Sequence, residues 1–146
     1  MGTANWINEY LPQLAAEGYQ VTSEPDSEYN CIAYAAGETD RWWSHVERAD
    51  YYWPEHASRT PSIQSLMEVF AGLGYEPCED ARYEPEFSKI ALYADRQGHW
   101  THAAVQLPGG EWSSKLGPDE DISHRAPESL DPDFYGGVHC LMRRPN

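Results

Sequence analysis

The sequence predicts an α+β domain, helical in its first half and built on an antiparallel sheet in its second. Two observations carry this expectation. In residues 5–17 and 60–73 the large apolar residues recur at helical spacing, three or four apart. Beyond about residue 74 the apolar stretches shorten and are separated by turns rich in Gly and Pro. Length and composition agree: 146 residues, 40% hydrophobic and 13% aromatic, suit one folded domain over residues 1–146 with room for a core.

Residues 5–17 form the first expected helix, with Trp6, Ile7, Tyr10, Leu11 and Leu14 on one side and Gly18 as a stop. Pro12 in its middle predicts a kink or two short pieces. After a turn at residues 23–27, the Ala-rich stretch 29–37 predicts a short buried helix, capped by Ser27 or Asn30 and closed by Gly37. Residues 39–59 hold Trp42, Trp43, Tyr51, Tyr52 and Trp53 without a clean period and are expected to be irregular. Thr60-Pro61 then opens a helix as cap and first turn, with Ile63, Leu66, Met67, Phe70 and Leu73 as a core stripe. Strands are expected at 89–94, 101–107, 111–116 and 138–142. Pro108-Gly109-Gly110 joins the second and third as a hairpin.

The formal net charge of −14 argues against nucleic-acid binding, which needs Lys and Arg against phosphates. It fits a solvated acidic surface and permits a basic protein partner or DNA mimicry. No apolar run approaches the roughly 18 residues of a membrane span. Residues 1–6 lack the basic region and apolar stretch of a signal peptide, so a cytoplasmic location is expected unless export proceeds without a cleaved signal. Cys31, Cys78 and Cys140 stand far apart without a C-x-x-C, which suggests neither a disulfide framework nor a zinc site. His99 and His102 alone do not make a ligand set, and no phosphate-binding loop is present. No metal or cofactor is expected.

Cys31 is the candidate nucleophile. Near the start of a short helix, a thiol meets unpaired amide hydrogens that favour the thiolate and can hold an oxyanion. Attack on an amide also needs a base that later protonates the leaving group. His102, at the front of a strand, supplies it. A neighbouring hairpin strand offers Ser113, Ser114 and Lys115 to orient the ring, and Asp121 and His124 follow in what reads as a loop. Cys78 and Cys140 have no comparable setting and read as structural.

The order of a Cys at a helix start, a His on a following strand and a polar residue on the next strand resembles the papain-like clan of cysteine peptidases and amidases. The compact bacterial amidopeptidase branch is the nearest part of that clan. The motifs Asn30-Cys31-Ile32-Ala33-Tyr34-Ala35-Ala36-Gly37, Trp53-Pro54, Thr101-His102-Ala103-Ala104 and Ser114-Lys115-Leu116-Gly117 also resemble an uncharacterised bacterial domain family. The clan resemblance implies a papain-like core, N-terminal helices packed on a small antiparallel sheet. It also implies catalysis by Cys31 and His102, with Ser114 in the third place, where the clan usually has Asn, Asp, His or Gln. Asn30 would join the Cys31 amide as oxyanion donor, and Trp42, Trp43 and Trp53 would line a substrate cleft or cover the sheet as core. The implied substrate is a peptide or protein amide, cleaved or transferred through an acyl-enzyme. The alternative is a non-enzymatic acidic binder of a basic protein, of the immunity-protein, antitoxin or inhibitor type.

Overall fold

In the computed structural model, which describes residues 4–146, Pro12 divides the first helical stretch in two. Helix α1 runs Asn5–Tyr10 and α2 runs Pro12–Glu17, with Pro12 at the first position of the second piece. Residues 1–3, which enter the signal-peptide reading, lie outside the described residues. Strand β1 (Tyr19–Val21) follows, then α3 (Cys31–Ala35), where Asn30 is the N-cap and its Oδ1 accepts from the Ala33 N–H. The aromatic segment expected to be irregular contains two short strands, β2 (Trp42–Trp43) and β3 (Tyr51–Tyr52), paired in parallel. Helix α4 (Ile63–Gly72) begins two residues later than Thr60-Pro61 suggests. Its cap is Ser62, whose Oγ accepts from the Ser65 N–H, because that hydroxyl reaches the free first-turn amide.

The remaining strands are β4 (Glu76–Cys78), β5 (Phe87–Ala94), β6 (Trp100–Gln106), β7 (Trp112–Lys115), β8 (Asp121–His124) and β9 (Gly137–Pro145). A 3-10 turn (Pro127–Ser129) and α5 (Pro132–Tyr135) stand between the last two. Seven strands form one sheet in the order β1-β8-β7-β6-β5-β9-β4, every neighbouring pair antiparallel. The domain is therefore mixed α+β with a mostly antiparallel sheet, wider than the four strands expected. Asp121 and His124, expected in a loop, lie in β8. No helix among the described residues is long and apolar enough to cross a membrane.

The sheet is covered on both faces, which the period of two along its central strands makes visible. Ile90, Leu92 and Ala94 of β5 and Ala103 of β6 join a cluster with Cys31, Ile32 and Ala33 of α3 and Leu66, Val69 and Phe70 of α4. The intervening Ala91, Tyr93 and Ala104 join a second cluster with Ile7 and Leu14 of the first two helices, Leu11 between them, and Trp112, Ile122 and Tyr135. Each large apolar side chain removed from water in this way contributes roughly 1.5–3 kcal/mol. A charged group on a central strand is paired. Lys89 of β5 is buried, and its Nζ bridges Glu84 Oε2 at 2.9 Å and Asp80 Oδ1 at 3.3 Å.

β5 ends between two irregularities, since its registers with β6 and with β9 both shift near Tyr93. Gly136 fits the space this leaves. Its φ is 78°, and a Cβ there would lie 2.4 Å from the Ala94 carbonyl oxygen and 3.0 Å from Thr101 Oγ1. Backbone cannot retreat as a flexible side chain can, and the positive φ adds strain for any L residue. Gly136→Ala is expected to cost about 2–3 kcal/mol, read as a fall in the urea midpoint at constant slope. A change below about 0.5 kcal/mol would mean that this turn accommodates a side chain.

Candidate active site

Cys31 stands at the first position of α3. The same Asn30 that caps the helix also ties it to the aromatic segment: Oδ1 accepts from the Trp43 N–H at 3.1 Å and Nδ2 donates to the Trp43 carbonyl at 2.6 Å. These bonds make Asn30 both cap and tether, and they use one of the two Nδ2 hydrogens. The thiol is buried, at 7% exposure. Burial pushes its pKa up to about 11, against the opposing pull of the backbone N–H groups of Ala103, Ile32 and Cys31 itself and of the Lys115 charge. The Lys115 ammonium is held by the carbonyls of Asp26, Gly117 and Asp119 and lies over the Tyr29 ring.

His102 on β6 is buried between two aromatic rings, its centroid 5.1 Å from Tyr93 and 5.0 Å from Tyr135. Its Nε2 lies 3.0 Å from Ser114 Oγ on the adjacent strand β7. Ser114 Oγ is in turn 2.8 Å from His124 Nε2 on β8, and His124 Nδ1 is 2.8 Å from the Ala126 carbonyl. Three residues on three neighbouring strands thus form one buried polar chain. Burial lowers His102 to about 3, with the His124 charge a smaller cause. Burial lowers His124 to about 4, opposed by its bond to Ala126 and by Glu17.

His102 and Ser114, paired by the sequence reading, are brought together. Between Cys31 and His102 there is no hydrogen bond among the described residues. Cys31 packs with the α3–α4 cluster, whereas the His102 ring lies with Tyr93 and Tyr135 of the other. They still share a neighbourhood. The β6–β7 ladder spans only Val105↔Ser113 and Gln106↔Trp112, and Cys31 meets β6 at the Ala103 amide, one residue beyond His102. Burial first, and the Cys31 charge after it, raise Tyr135; Cys31 also contributes, after burial and Glu128, to raising Tyr93. These are the two rings that flank His102.

The three tryptophans separate. Trp43 and Trp53 are buried in the α3–α4 cluster, with Trp53 stacked on Trp100 at 5.8 Å. Trp42 stacks on Tyr51 at 6.5 Å and lines an open cleft with Glu28, Asp40, Asp50 and Pro118. Among the described residues no group of three or more His, Cys, Asp or Glu converges as a metal-ligand set. Sequence reasoning names His124 but places it in a loop, whereas it lies in β8. The signal was present in parity: Ser114, Ile122 and His124 share one face once 121–124 is read as a strand returning beside β7.

Both histidines have folded-state pKa values below the ordinary value near 6.5, so the unfolded chain binds more protons between pH 6.5 and about 3. The stability they confer as neutral groups is complete above pH 6.5 and is lost as the pH falls toward 4 and then 3. The urea midpoint is expected to drop steadily from pH 7 to pH 4.5, less steeply in a His102→Asn, His124→Gln double variant. Equal slopes in the two proteins would show that these imidazoles do not govern acid stability.

A family model with the description Domain of unknown function (DUF7689) matches residues 20–143. No curated protein and no solved structure matches the chain. The matched span takes in all of the sheet except the first residue of β1 and the last two of β9, together with Cys31, His102, Ser114 and His124. The chain belongs to the family described as Domain of unknown function (DUF7689).

Proposed function

We propose that this domain is a cysteine-dependent hydrolase or acyltransferase acting on a peptide or protein amide, on a core of papain-like type. One observation carries this reading. His102 is held at Nε2 by Ser114 on the next strand, while its Nδ1 makes no hydrogen bond among the described residues and the Cys31 thiol reaches β6 one residue away. A ring anchored at one nitrogen and free at the other, beside a thiol at a helix start, suits general acid–base work on that thiol.

The thiol and imidazole are both neutral at working pH, given their opposite shifts. The step is then general-base attack and no standing ion pair is needed. The thiol proton passes to His102 Nδ1 as sulfur bonds to the carbonyl carbon, and the carbonyl π pair moves onto oxygen. The Cys31 amide N–H, free at the start of α3, is the donor for that oxyanion. Collapse breaks the C–N bond, and the departing amine takes the proton back from Nδ1. Water or an acceptor amine next attacks the thioester, giving its proton to Nδ1 while the C–S bond breaks and sulfur is reprotonated.

The test uses p-nitrophenyl acetate as a generic acyl donor. A burst of nitrophenolate is expected, with the acetyl group mapped to Cys31 by peptide mass. It should be absent in Cys31→Ala and slower by about 10²-fold or more in His102→Ala. Acetylation confined to Cys78 or Cys140, or a rate indifferent to His102, would overturn the reading.

The buried, neutral state of Cys31 and the net charge of −14 favour one rival, an acidic binder of a basic protein on an inherited scaffold. Iodoacetamide separates the two. A Cys31 alkylation rate that rises about tenfold per pH unit from pH 7 to 9, as a thiol near 11 dictates, and is unchanged in His102→Ala goes with the binder. A rate that falls in His102→Ala goes with the hydrolase.

A further inference from the structure

The polar chain His102–Ser114–His124–Ala126 has only one consistent assignment of protons when both rings are neutral. It starts from the end that is fixed. A backbone carbonyl only accepts, so His124 Nδ1, 2.8 Å from the Ala126 oxygen, must carry a hydrogen. Neutral His124 then has a lone pair on Nε2, and the Ser114 hydroxyl 2.8 Å away must donate to it. With its single proton committed, Ser114 Oγ can only accept from its other neighbour. His102 Nε2, 3.0 Å away, is therefore the N–H, and the lone pair of His102 rests on Nδ1.

We propose that His124 is a positioning residue: by accepting the Ser114 hydroxyl it makes Ser114 an obligate acceptor and fixes His102 as the Nε2–H tautomer with Nδ1 as base. This rests on the reading of Cys31 and His102 as the reacting pair, and it removes the main weakness of a serine in the third place. A free hydroxyl rotates and both donates and accepts, so it does not choose between imidazole tautomers. A hydroxyl locked by a second histidine does choose, as a carboxamide oxygen would. Both rings and the hydroxyl are buried to 1% exposure or less, so water does not compete for these bonds.

The tautomers can be read directly from the imidazole ¹⁵N shifts and long-range ¹H–¹⁵N correlations of the native protein at pH 7. His102 is expected to show a pyridine-like Nδ1 and a protonated Nε2, and His124 the reverse. A protonated Nδ1 on His102 would overturn the proposal whether or not Cys31 is acylated. The correct tautomers without acylation of Cys31 would leave the arrangement standing and sink the hydrolase reading instead. In variants, His124→Leu removes the acceptor and is expected to give a mixed His102 tautomer and about 10²-fold slower acylation. His124→Gln, whose Oε1 still accepts from Ser114, should keep the Nε2–H form and most of the rate. Equal loss in both variants with the native tautomer retained would assign His124 a packing role only.

Discussion

The central strands of this domain are hidden on both faces, and that constraint decides what any polar group on them must do. Ile90, Leu92 and Ala103 are fully buried against one helical layer, and Ala91 and Ala104 against the other. A polar atom among them forfeits water and must find a partner in the protein. His102 finds Ser114, Ser114 finds His124, and His124 ends on a backbone carbonyl. Lys89 finds Glu84 and Asp80, and Lys115 finds three carbonyls and a tyrosine face. Asp121 is only half satisfied, since its Oδ2 accepts from Tyr29 while Oδ1 is buried without a partner. Burial accordingly raises its pKa against the pull of Tyr29 and Lys115.

The same constraint sets the chemistry open to Cys31. Thiolate–imidazolium pairs form where opposite charges outweigh desolvation. Here desolvation is the largest cause for both partners and drives them apart, the thiol up to about 11 and the imidazole down to about 3. The third residue offers His102 a dipole and no charge, so it fixes geometry without stabilising an imidazolium. Under the proposed hydrolase reading, such a site orients the base and leaves the thiol protonated until substrate arrives.

Much of the fold was legible because it rests on periodicity and punctuation. The α4 stripe, the Pro12 break and the hairpin at Pro108-Gly109-Gly110 each follow from local rules. The short elements were not legible. β1, β4 and β8 have three or four residues and owe their existence to partners distant in sequence, as in the pairing of Tyr19–Val21 with Ile122–His124. Missing β8 also left His124 in a loop, when its bond to Ser114 depends on lying across from β7. Asn30 shows the complementary failure. Its position beside Cys31 fits a cap and an oxyanion donor in sequence, and only the structure shows the cap bond to Ala33 and the tether to Trp43.

Those bonds also bear on how the site is reached. Through Asn30, the start of α3 is fastened to Trp43, whose indole, with that of Trp53, packs into the cluster that covers Cys31. Trp42, next in sequence, faces an open cleft whose wall includes Ser27 and Glu28, the turn leading into Cys31. The aromatic segment therefore seals the thiol on one side and borders open space on the other. Because burial is the first cause of the Cys31 shift, admitting water along that border lowers the thiol. Under the proposed hydrolase reading, access to the thiol and its activation are then one event, governed by the packing of residues 42–53 against α3.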